Sequence, residues 1–73
     1  RGVDPTARID PTATIDPMAW IGPRAQVGAG AHIGPRVQLG ADVVVAPGVR
    51  LRDAIVWDGA IVTRDLEHEV LTA

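Results

Sequence analysis

Ala19-Trp20-Ile21-Gly22-Pro23-Arg24-Ala25-Gln26-Val27-Gly28-Ala29-Gly30-Ala31-His32-Ile33 repeats a pattern every six residues. An aliphatic residue stands at Val3, Ile9, Ile15, Ile21, Val27, Ile33, Leu39, Val45 and Leu51, and Trp57 takes the next slot. Four residues after each comes a small or β-branched one: Ala7, Ala13, Ala19, Ala25, Ala31, Val37, Val43, Val49, Ile55 and Ile61. Asp or Gly follows the aliphatic residue in the first seven repeats, and Pro often comes next. The reading is ten hexads without a slip across residues 3–62. A helix needs a 3.6-residue period and would be broken by the prolines. A strand alternates its faces, so Ala19 and Ile21 point inward and Trp20 outward. The Gly-Pro or Asp-Pro pair then bends the chain. Three bends close one coil of 18 residues, and coils stack by backbone pairing around a continuous apolar core. The expected fold is all-β, a parallel β-solenoid of a little over three coils.

The pattern weakens after Val62. Residues 3–62 are read as the solenoid and residues 63–73 as a C-terminal cap, with Leu66, Val70 and Leu71 folding over the last rung. No comparable cap precedes Val3, so the first coil is expected to meet another domain or a partner.

At 73 residues the chain is one domain at most, and so small a core needs added stability from stacking or self-association. Without Cys there is neither a disulfide framework nor a thiolate metal site, which fits a cytoplasmic protein. The net charge of −2, the absence of Lys and the scatter of Arg give no nucleic-acid footprint. No apolar run is long enough for a membrane-spanning helix, and the start is not a signal peptide.

Three groups of residues are candidates for function. His32 points outward in a column with Thr14 and Arg50, and a His so placed can act as a general base. A solvated face is the simpler account of it. A zinc site would need more His than the distant His68. Arg8, Arg24, Arg36, Arg50, Arg52 and Arg64 could hold a phosphate if they converged, but Asp42, Asp53 and Asp58 offer ordinary pairing. The third group is apolar. The 18-residue coil stacks Trp20, Gln38 and Val56 on one outer face, with Met18 at its flank, and Val44 with Val62 on the next. A solvated face should not carry Trp and Val, so Trp20, Gln38, Val56, Met18, Val44 and Val62 are the expected interface. No cofactor or metal is expected.

The hexads resemble the hexapeptide-repeat family, whose fold is a left-handed parallel β-helix; the handedness is an implication of that resemblance. The stretch Val49-Arg50-Leu51-Arg52-Asp53-Ala54-Ile55-Val56-Trp57-Asp58-Gly59-Ala60 also resembles the closing repeats of sugar-nucleotide pyrophosphorylases, the mannose-1-phosphate guanylyltransferase type most closely. That resemblance implies a non-catalytic C-terminal assembly or regulatory domain, a homo-oligomer with three subunits favoured, and an N-terminal catalytic domain as its partner. Two alternatives stand beside it. One is a small hexapeptide acyltransferase or carbonic anhydrase-like trimer using His32. The other is a stand-alone or engineered structural β-helix.

Overall fold

A computed structural model describes residues 2–73. The described residues are strands and turns, with no helix, stacked as a parallel β-solenoid of about 4 turns, consistent with a left-handed β-helix. Short strands alternate with turns: β1 (Gly2–Val3), β2 (Arg8–Ile9), β3 (Thr14–Ile15), β4 (Trp20–Ile21), β5 (Gln26–Val27), β6 (His32–Ile33), β7 (Gln38–Leu39) and β8 (Val44–Val45). They are followed by β9 (Arg50–Val56), β10 (Ile61–Val62) and β11 (Leu66–Leu71).

The pairing defines three faces of a prism. The first face stacks β1, β4, β7 and the second half of β9. The second stacks β2, β5, β8 and β10. The third stacks β3, β6 and the first half of β9. Because β9 rounds a corner without a break, the first and third faces form one 7-stranded sheet and the second a 4-stranded sheet.

The inside of the prism is the predicted core through Leu51. Ile21, Val27, Ile33, Leu39, Val45 and Leu51 are buried, each beside a buried Ala19, Ala25, Ala31, Val37, Val43 or Val49. Among the described residues no polar side chain is buried with them. The first coil is less covered: Val3 is exposed, and Ile9 and Ile15 are half-buried.

Beyond Leu51 the hexad frame slips, contrary to the expected unbroken run. Ala54, Val56, Ala60 and Val62 are buried, whereas Ile55, Trp57 and Ile61 are exposed by 42, 57 and 66%. The register shows the cause. Ile33 pairs with Leu51 at a separation of 18 residues, but Leu39 pairs with Val56 at only 17. One residue is missing from the corner. Gly34-Pro35-Arg36 rounds it in the coil below, whereas Arg52-Asp53 suffices above. Asp53 takes the left-handed φ of 49° that Arg36 (59°) holds beneath it, and its N–H donates to the Pro35 carbonyl. A one-residue shift along a strand exchanges its two faces. Val56 and Val62 therefore leave the outer columns for the core.

Residues 63–73 add a rung. β11 pairs in parallel with β9, Leu66 opposite Leu51 and Leu71 opposite Val56. Leu66 is buried and Leu71 half-buried, but Val70 projects outward and is 59% exposed instead of folding over the end.

Candidate functional site

The outward residues of each face stack in columns, so their chemistry can be compared directly. On the third face Thr14, His32 and Arg50 stand in register, as the 18-residue period requires. Together with Asp16, Asp65 and Glu67 they line an open groove. All three column residues are exposed, and among the described residues no side chain is hydrogen-bonded to the His32 ring. His68 lies elsewhere, with Nδ1 3.3 Å from Asp53 and Nε2 3.7 Å from Glu67. Thus the structure does not bring the two His together. Among the described residues no group of three His, Asp or Glu side chains is arranged to hold a metal ion.

Most of the arginines are paired with acids rather than converging. Arg24 grips Asp42 of the next coil through Nε–Oδ1 (2.8 Å) and Nη2–Oδ2 (3.0 Å). Arg36 holds Asp53 in the same two-pronged way, Arg52 pairs with Glu67, and Arg64 with Glu69. These contacts follow from the fold. Arg24 and Asp42, like Arg36 and Asp53, occupy the left-handed residue of the same corner in successive coils, so stacking places one above the other. The hydrogen bond and charge of each Arg hold Asp42, Asp53 and Glu69 below the ordinary carboxylate range.

In the first coil the corners are built differently. Asp4 Oδ1 accepts from the hydroxyl (2.6 Å) and the N–H (2.9 Å) of Thr6, and Asp10 does the same with Thr12. Those bonds lower both carboxyl pKa values. Each Thr oxygen then accepts an N–H from the coil above, from Arg24 or Gly30.

The apolar outer columns exist, with altered membership. On the first face the column reads Gly2, Trp20, Gln38, Ile55 and Val70. On the second it reads Arg8, Gln26, Val44 and Ile61. Ile55 and Ile61 stand where Val56 and Val62 were expected. Trp20 (54%), Met18 (63%) and Trp57 (57%) are all exposed. Trp20, Gln38, Ile55, Trp57 and Asp58 line one shallow groove. Sequence reasoning found Trp20 and missed Ile55, Trp57 and Ile61. The signal lay in Ala54 and Ala60, which restore the small inward slot one residue early.

Residues 18–53 match the family described as Bacterial transferase hexapeptide (six repeats). This segment is hexapeptide-repeat sequence. The matched hexapeptide repeats end at Asp53, the corner where the six-residue period loses a residue. Comparison with curated proteins and with solved structures yields no match. No helix among the described residues is long and apolar enough to cross a membrane.

Proposed function

We propose that the chain is a non-catalytic assembly and regulatory β-helix of the kind that closes sugar-phosphate nucleotidyltransferases, associating with copies of itself, three subunits being favoured, and serving an N-terminal catalytic domain in the cytoplasm. The observation that carries the reading is the contrast between faces. Polar side chains column on the third face, while Trp20, Ile55 and Val70 on the first and Val44 and Ile61 on the second stay in contact with water. Surface of that kind on a small stack favours association. The stretch Ile55-Val56-Trp57-Asp58-Gly59, the basis of the resemblance to the guanylyltransferase type, lies where those two faces meet.

Sedimentation equilibrium on the chain and on Trp20→Glu tests the association. A parent that stays monomeric at high concentration overturns the assembly reading. The same preparation should neither transfer acyl groups from acyl-CoA, hydrate carbon dioxide, nor form a nucleotide sugar. The competing enzyme reading draws on the exposed position of His32. Turnover that disappears in His32→Ala would replace the assembly reading with it.

A further inference from the structure

We infer that the missing corner residue at Arg52-Asp53 builds a self-association ridge from Ile55, Trp57 and Ile61, and that its occupant is a second copy of this chain. The inference rests on the assembly reading and assigns its contact surface. In an unbroken six-residue frame these three side chains would point into the core. The shortened corner turns them outward and leaves Ala54, Val56, Ala60 and Val62 to fill the interior. The ridge wraps the edge between two faces, with Ile55 on the first, Ile61 on the second and Trp57 in the turn that joins them. Trp20 and Val70 extend it along the first face.

Area and charge select the occupant. Both aromatic residues of the chain lie on this surface, and an aromatic side chain covers about 150–250 Å² when fully buried. At the exposures observed, Trp20, Ile55, Trp57, Ile61 and Val70 present on the order of 600 Å², most of the roughly 800 Å² that one partner gives to a stable protein interface. None of the five is charged, and the Asp58 carboxylate that lines the groove beside them already accepts the Ala41 N–H (2.8 Å), so the ridge itself matches an apolar surface rather than a charged partner.

The two Trp residues report on the contact directly. Tryptophan emission of the parent, and of Trp20→Phe to isolate Trp57, should shift to the blue with concentration, at the midpoint seen in sedimentation. Ile61→Glu and Trp57→Glu, both at exposed positions, should keep the parent far-ultraviolet circular dichroism and weaken association by about 30-fold or more. An oligomer whose Trp57 emission stays that of a solvated indole at every concentration overturns the ridge and leaves the assembly reading standing. A parent monomeric throughout overturns both.

Discussion

Single residues in this stack are constrained by what lies one coil away. Ile33 is 1% exposed, and an unpaired carboxylate there costs several kcal/mol, comparable to the whole stability of so small a domain. Ile33→Asp should therefore show no cooperative unfolding transition in denaturant. Two neighbouring glycines are needed for different reasons. A Cβ on Gly28 would lie 2.7 Å from the Pro47 nitrogen, a backbone atom that cannot swing away. Gly28→Ala should lose about 1–3 kcal/mol by overpacking. A Cβ on Gly30 would meet nothing within 4 Å, but its φ of 69° is left-handed. Gly30→Ala should lose only about 1–2 kcal/mol. The frame slip has its own single-residue test. Val56→Ala should cost roughly 2 kcal/mol by leaving a cavity. Ile55→Ala, measured at a concentration where the chain is monomeric, should cost clearly less. Equal losses would contradict the register.

At the level of strands and corners, the structure is held by two kinds of carboxylate contact. Asp4 and Asp10 are held by Thr hydroxyls and backbone N–H groups, whereas Asp42, Asp53 and Glu69 are held by guanidinium groups. All five have folded pKa values below their ordinary ones. Their contribution is complete above the ordinary carboxylate range and is lost as pH falls through the lowered values, so thermal stability should drop below about pH 4. Concentrated salt should weaken the Arg pairs and leave the Thr-held corners intact. Melting curves from neutral to acid pH, at low and high salt, separate the two. The strands themselves were largely legible in the sequence, because a period of six with Pro at the bends leaves no other regular structure. The corner at Arg52-Asp53 was not. Ile55 and Trp57 satisfy the apolar pattern in one frame, and Ala54 and Val56 satisfy it in the other. Period alone cannot choose between them; the volume available inside can, since the inward slot beside each aliphatic accepts Ala more readily than Ile. The acid partners of the arginines were legible as a group, and the pairing of Arg24 with Asp42 within it follows from two residues 18 apart sharing one corner.

The whole molecule is a column whose two ends differ. β1, β2 and β3 each pair on one side only among the described residues, and Val3 at that end is 45% exposed. A stack stabilised by nearest neighbours frays from its less covered end. Amide exchange should therefore be fast at Val3, Ile9 and Ile15 and slowest at Val27 and Val45; uniform protection along the column would contradict this. The shortened corner matters in a different way for inheritance. In most proteins the gain or loss of one codon in a surface bend moves a loop and little else. Here the strand beyond the bend has no break at which to recover its phase. Inserting one codon between Arg52 and Asp53 would turn the following coil inside out, presenting Trp57 to a space that now holds Val56. Mutations that change chain length at this corner should thus be purged far more strongly than exchanges of one amino acid for another on the same outer face, and that difference in tolerance should be measurable in a library of single-codon insertions.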